Sequence, residues 1–330
     1  MLLKLINKLI NIDNNTKMFI DHNKKVFSKK IFKYKDTDPQ ILVEFNGWET
    51  FHLGSSYLLN ALVDDFKANI IAYENFRILN PKKNLFWENI KWKIGIFFNI
   101  RTFRIYKSFG VNKFLLPKIN YYYKNKAKKK IKKILSKIKS KKNVEDICVD
   151  NIWLGDLIYD TYLKKYNKPT IDINCPKFKD LLFEILSVFY YWKDYFKTHH
   201  VKAVAVSHGV YTFAIPLRIA VELNIPGYVS SESFLYKYDK RHISYRKGCS
   251  GMFMEGKFYK KIFSKLSKKT QIKSKKIGKQ ILNQHTHPLF NIIDKRKFTK
   301  INKNKNSNSL SRKARIIKKS NKIKVLILVQ

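Results

Sequence analysis

Residues 201–231 read VKAVAVSHGVYTFAIPLRIAVELNIPGYVSS. The apolar run from Val201 to Val206 stops at Ser207-His208-Gly209. An amphipathic run from Tyr211 to Leu223 follows, Asn224 and Pro226 end it, and a second apolar run, GYVS, begins. Strand, tight turn, helix, strand is one βαβ unit of a parallel sheet. Such sheets bind ligands beyond the carboxyl ends of their strands. Ser207, His208, Gly209 and Tyr211 are therefore expected at the lip of a site.

The same grammar occurs upstream. Ile41-Leu42-Val43-Glu44-Phe45 reads as a buried strand and Asn46-Gly47-Trp48-Glu49 breaks it. His52 to Phe66 carries Leu53, Tyr57, Leu58, Ala61, Leu62 and Phe66 at helical spacing, and Asn69 to Tyr73 is the next strand. Successive βαβ units predict an α/β fold, a Rossmann-like parallel sheet with flanking helices. Residues 1–38 read as a leader segment, with a polar loop over 13–38. The Rossmann-like domain is expected over 39–293 and a basic, asparagine-rich linker over 294–321. Residues 322–330, KIKVLILVQ, read as a buried strand. A strand in that position begins an α/β domain, so the chain is expected to be truncated, with a second Rossmann-like domain to follow.

Sixty-eight Lys and Arg against 24 Asp and Glu give a net charge of +44. This directs attention to nucleic acid, an anionic membrane face or phosphorylated substrates. Lysine, asparagine and isoleucine abound while arginine is scarce, a pattern that base bias in a gene also writes at unconstrained surface positions. Hydrophobic residues at 45% supply a core and exclude global disorder. Cys148, Cys175 and Cys249 are far apart, which argues against a disulfide framework or a zinc site and for a reducing cytoplasm. The opening MLLKLINKLINI is too short to span a bilayer, but it has one apolar helical face that suits docking on a membrane surface or on the protein's own body. Residues 120–142 are the densest positive run, read as an exposed helix with one packed edge; a membrane-surface or RNA-binding helix is the alternative. In 84–109, aromatics at helical spacing predict helices on the sheet with Ile94, Phe97, Phe98 and Ile105 buried. Base stacking is the competing reading.

No P-loop, GxGxxG, HExxH or GxSxG is present. What the chain offers is polar residues at predicted strand ends. They are Asn46, Gly47, Glu49 and His52 after the first strand, then Asp150, Asn151, Gly155 and Asp156. Ser207, His208, Gly209 and Tyr211 follow the Val201–Val206 strand, and Ser230, Ser231 and Glu232 follow its partner. In a parallel sheet these converge on one edge. Gly47, Gly54 and Gly209 would let a ligand approach the backbone, and a histidine there can act as general base on a hydroxyl. Asp156 and Asp160 share a helical face, either for acid/base work or as a solvated pair engaging Lys164 and Lys165. The residues expected to carry chemistry are His208, His52 and Asp156. Asn46, Gly47, Glu49, Asn151, Ser207, Gly209, Tyr211 and Glu232 are expected to bind substrate, with no metal.

Three segments, ILVEFNGWETFHLGSSYLLNAL, DNIWLGDLIYDTYLKKY and SHGVYTFAIPLRIAVELNIPGYV, together resemble bacterial surface- or capsular-polysaccharide biosynthesis proteins of the GT-B glycosyltransferase type. The resemblance spans roughly residues 40–235. It implies two Rossmann-like domains facing a cleft, the first handling the acceptor and the second the nucleotide-sugar. It implies no cofactor beyond that donor substrate, and no obligatory metal. It also implies a glycan or lipid-linked acceptor; the cysteine usage suits a cytoplasmic location, and the basic surface suits peripheral contact with the anionic inner membrane. A non-catalytic scaffold or export component of the same pathway is a second class of reading, and a basic nucleic-acid-binding protein is a third, less favoured one.

Overall fold

The computed structural model describes residues 12–27, 37–75, 85–230, 235–240 and 256–286. The N-terminal apolar run, Ser231, Glu232, Cys249, the basic linker and the strand expected over 322–330 lie outside them. The chain divides into two units, Met1–Gly256 and Lys257–Gln330.

The first unit is built on a six-stranded sheet: β1 (Gln40–Phe45), β2 (Asn69–Glu74), β3 (Val111–Leu115), β6 (Val201–Val206), β7 (Gly227–Ser230) and β8 (Leu235–Tyr238). Their spatial order is β3-β2-β1-β6-β7-β8. The first five are parallel, and β8 runs antiparallel to β7. This is the expected Rossmann-like α/β fold, with an antiparallel edge strand that Leu235–Tyr238 did not announce. From β1 the chain winds outward through β2 to β3, then returns to the other side of β1 for β6 and β7. The winding reverses between β1 and β6, where doubly wound sheets open their ligand crevice.

Both sheet faces are covered, so the strands read as apolar runs. The period of two still sorts their side chains. Ile41 and Val43 join Ile70, Ala72, Ala203 and Ala205 on one face, under three helices: α1 (Asn14–Phe27), α2 (Glu49–Phe66) and α4 (Arg101–Ser108). Leu42, Ile71, Tyr73, Val204 and Val206 fill the other face. It is covered by α5 (Tyr121–Leu135), α7 (Gly155–Tyr166), α8 (Pro176–Thr198) and α9 (Ile215–Glu222).

Four local readings are corrected. The polar stretch after residue 13 forms α1 rather than a loop. Asp13 caps it by accepting from the Thr16 N–H at 2.9 Å and the Thr16 hydroxyl at 2.8 Å. Its buried stripe is narrow, Ile20 and Phe27 flanked by Thr16 and Asn23. In α3 (Leu85–Phe97) and the turn after it, Ile94, Phe97 and Phe98 are exposed, and only Ile105 of the expected set is buried. The inward face of α3 is instead Trp92 and Gly95, and a Cβ on Gly95 would lie 2.2 Å from the Phe103 ring. Pro216 delays the helix after β6: Tyr211–Ala214 is a 3₁₀ turn, and α9 starts at Ile215. Asp150 and Asn151, with φ of 50° and 69°, form the two-residue turn of a hairpin between β4 (Cys148–Val149) and β5 (Ile152–Trp153). Paired left-handed residues are what a tight hairpin turn requires, and Asp and Asn tolerate them best.

Helix α7 is fixed to α9 by charge. Arg218 is fully buried; it donates to both Asp156 carboxylate oxygens and to the Trp153 carbonyl at 3.0 Å, with its guanidinium over the Trp153 ring. Asp156 therefore engages Arg218, not the lysines two turns along its own helix; Lys165 pairs with Glu184.

In the second unit α10 (Gly256–Ser264) and α11 (Lys268–Thr286) are joined by a short turn. Ser267 caps α11 by accepting from the Thr270 N–H at 3.3 Å. Among the described residues no helix is long and apolar enough to cross a membrane.

Removing one member of a buried ion pair strands the other. Asp156→Ala should destabilise the first unit by about 3 kcal/mol. Adding Arg218→Met should recover most of that loss, as read from urea unfolding midpoints. Equal midpoints for wild type and Asp156→Ala would show that the pair does not hold α7 in place.

Candidate functional site

At the reversal point, β1 delivers an acid and β6 a serine. Glu44 is the penultimate residue of β1 and is fully buried. Its Oε2 accepts from the Ser207 N–H at 2.8 Å and from the Ser207 hydroxyl at 2.7 Å. Ser207 is the first residue past β6, so one carboxylate oxygen joins the carboxyl ends of the two strands that flank the crevice. The Ser207 Oγ also lies 3.0 Å from His208 Nδ1. With the serine hydroxyl donating to the carboxylate, its oxygen is free to accept from Nδ1–H. The bare lone pair of His208 is then on Nε2, which has no hydrogen-bond partner among the described residues. The Trp48 ring packs edge-on against the imidazole at 4.5 Å.

Burial drives Glu44 up to a pKa of about 7, and this outweighs the Ser207 N–H, the Ser207 hydroxyl and the nearby Asn46 amide, which all pull it down. Burial also lowers the His208 pKa, so its imidazole is neutral at pH 7. A neutral histidine backed by a hydroxyl and a carboxylate is equipped to take a proton.

Around this relay the polar groups are incompletely satisfied. Glu44 Oε1, Asn46 Nδ2, the Tyr73 hydroxyl and Asn75 Nδ2 are buried with no hydrogen bond of full geometry among the described residues. All four belong to the carboxyl ends of β1 and β2 or the residues just beyond, and Tyr73 is the register partner of Glu44. Buried polar atoms normally find partners; the Asn46 amide is close enough to Glu44 to lower its pKa, so it is the Tyr73 hydroxyl and Asn75 Nδ2 that mark a place for water or for polar groups of a ligand.

The loop after β1 is held rigidly. The Tyr106 hydroxyl donates to the Glu44 carbonyl at 2.6 Å and accepts from the Asn46 N–H at 3.1 Å. Asn46 Oδ1 accepts from the Trp48 N–H at 2.9 Å. His52 is buried with Nε2 at 2.8 Å from the Asn46 carbonyl and its ring against Tyr106, so it fastens the loop from beneath. Ser230, at the end of β7, meets Ser55 of α2 at 3.1 Å. Gly47 is exposed with open space around it. Glu49 begins α2.

On the far side of the Ser207–Tyr211 turn lies a second acidic group. Tyr211 holds φ of 55°, a left-handed conformation that costs a bulky residue on the order of 1–3 kcal/mol. Burial, then Asp160, raise its pKa. Asp160 itself is raised to about 6, by burial and then by Asp156. Asp156 is occupied with Arg218, which leaves Asp160 the more available carboxylate of the two. Gly209 is explained by protein rather than ligand, since a Cβ there would lie 2.7 Å from the Tyr238 hydroxyl of β8. Gly155 likewise sits against the Glu145 carbonyl.

Of the residues singled out in the sequence, Asn46, His52, Ser207 and His208 come together, with Tyr211 and Gly209 continuing the same turn. Asp156 serves the buried ion pair. Asn151 lies in the exposed hairpin turn, away from the Glu44 relay. Glu232 is outside the described residues. The residue that sequence reasoning missed is Glu44. Its signal was an acid within an apolar strand, one residue from the carboxyl end, where a solvated role is hard to satisfy. Among the described residues no group of three or more His, Cys, Asp or Glu side chains could hold a metal ion.

The raised pKa has a direct thermodynamic consequence. Folded, Glu44 keeps its proton up to pH about 7, whereas the unfolded chain releases it near 4.5. Its contribution to stability is present below 4.5 and declines as pH rises through 7, by about 3 kcal/mol in all. Glu44→Gln has no such decline. Its unfolding free energy should gain about 3 kcal/mol on wild type between pH 4.5 and pH 8, measured by urea titration at both pH values. Parallel stability curves would mean that the carboxylate is solvated.

No family model, curated protein or solved structure matches the chain.

Proposed function

We propose that the first unit is the acceptor-side half of a sugar-transfer enzyme that builds a surface or lipid-linked glycan. The observation that carries this reading is the Glu44–Ser207–His208 relay at the carboxyl edge of β1 and β6. It suits one chemical task, removal of a proton from a hydroxyl bound in the crevice. His208 Nε2 takes the proton as the acceptor oxygen attacks the anomeric carbon of a nucleotide-sugar. The bond from that carbon to the diphosphate oxygen breaks, and the nucleoside diphosphate leaves with the electron pair. The imidazolium that forms is stabilised through Ser207 by the Glu44 carboxylate. Orphaned groups on Tyr73 and Asn75 are suited to hold the other hydroxyls of a sugar acceptor. The similarity of the three segments to surface-polysaccharide biosynthesis proteins points the same way. Such work is done at the cytoplasmic face of the inner membrane.

The protein, incubated with a panel of nucleotide-sugars, should release nucleoside diphosphate from one of them. His208→Ala should lower kcat by about 10²–10⁴-fold. The rate should fall on the acid side with a midpoint near pH 7, where Glu44 takes up its proton. In Glu44→Gln that limb should move to a more acid pH, set by the lowered pKa of His208. No turnover with any donor would overturn the proposal in favour of a non-catalytic scaffold.

A further inference from the structure

A concave surface that shares no residue with the relay lies between α5 and α8. Lys126, Lys129, Lys130 and Lys133 face it from α5, and Lys193 and Lys197 from α8, around a volume of about 300 Å³. On α5 these four lysines are spaced three, one and three residues apart, so they form a double row on one face, while Lys124, Lys128 and Lys132 of the same helix stand outside the groove. The row is about 10 Å long. On α8 the two lysines are one turn apart and oppose it.

Only two carboxylates line the groove. Asp150, from the hairpin turn, is shared by Lys130 at 3.4 Å and Lys193 at 2.5 Å. These two lysines lower its pKa against the opposing effect of burial. Asp194 accepts from the Tyr123 hydroxyl at 2.8 Å. Lys126 lies over the Tyr122 ring, and Lys129, Lys133 and Lys197 have no carboxylate partner among the described residues. Two acids against six lysines leave four positive charges uncompensated in one concavity. Like charges at adjacent helical turns are mutually destabilising, so the arrangement is complementary to a compact, multiply charged anion. The Asp150 bridge ties the two helices together and fixes the spacing of the rows before any ligand arrives.

We propose that this groove binds a pyrophosphate group, carried either by a soluble nucleoside diphosphate or by a lipid whose headgroup is a diphosphate. Lysine ammonium groups recognise phosphate as point charges, without the planar fork that arginine imposes. The volume suits one small phosphate ester rather than a length of polymer. This site stands apart from the hydroxyl-activating relay and does not depend on it.

The test is calorimetric titration of the full chain with inorganic pyrophosphate, inorganic phosphate and a 20-nucleotide single-stranded RNA. Pyrophosphate should bind at least tenfold more tightly than phosphate. Lys129→Gln with Lys133→Gln should weaken pyrophosphate binding about tenfold or more. The control pair, Lys124→Gln with Lys128→Gln, removes the same charge from α5 outside the groove and should change it less than twofold. Equal losses in the two variants, or equal affinity for phosphate and pyrophosphate, would overturn the proposal in favour of a diffuse field. RNA that displaces pyrophosphate and loses affinity in the groove variant alone would also overturn it, as a nucleic-acid footprint. Uridine diphosphate in solution, set against phosphatidylcholine vesicles doped with a prenyl diphosphate, identifies which carrier supplies the group.

Discussion

One buried carboxylate oxygen bridges the two central strands of the sheet. Glu44 Oε2 receives both the N–H and the hydroxyl of Ser207, and by doing so joins β1 to β6 at the point where the winding reverses. Burying a carboxylate is costly unless it is hydrogen-bonded. Ser207 offsets part of that cost, and the rest remains as a pKa displaced to about 7. The geometry that secures the sheet is the geometry that leaves a proton-transfer group at the crevice. Tyr106 and His52 fix the adjoining loop from below, so that Trp48 and His208 meet above it.

Charge is used differently elsewhere. Arg218 and Asp156 form a closed pair with little left to offer a ligand, and the pair's work is to hold α7 against α9. Asp160, one turn along α7, has no ion pair of contact distance among the described residues, and burial, then Asp156, raise its pKa to about 6 against the pull of Arg218. Along α5 the excess is positive, and four of its seven lysines line the groove shared with α8. A net charge of +44 is a poor guide to any of this, because a sum does not say where on the fold the charges stand.

The strands were legible because a sheet covered on both faces writes itself as apolar runs, and VKAVAV, ILVEF and NIIAY are such runs. The turn residues after them followed from the same rule. What could not be read was whatever depends on a partner distant in sequence. Asp156 had lysines two turns along its own helix, yet its partner is 62 residues on. The first helix escaped notice because its contact stripe includes Thr16 and Asn23, which no hydropathy pattern flags. Ile94, Phe97 and Phe98 were assigned to the core because apolar side chains at helical spacing usually belong there. A helix packed along one edge, with Gly95 admitting the Phe103 ring, leaves such side chains outside. Glu44 was visible as an acid in the wrong company, but its meaning depended on a serine 163 residues away.

That separation has a consequence for how the chain is made. The ribosome releases β1 long before β6, so a strand destined for the middle of the sheet first exists with one side open. Open apolar strand edges recruit other chains, and inward-pointing charges are a common protection against this. Until Ser207 emerges, Glu44 is an ordinary solvated carboxylate that repels unwanted strand pairing along that edge. When β6 docks, the guard is converted into a fastening and its charge is withdrawn from water. The residue that ends as a fully buried acid of the sheet is, before β6 docks, a charge set in an otherwise apolar strand.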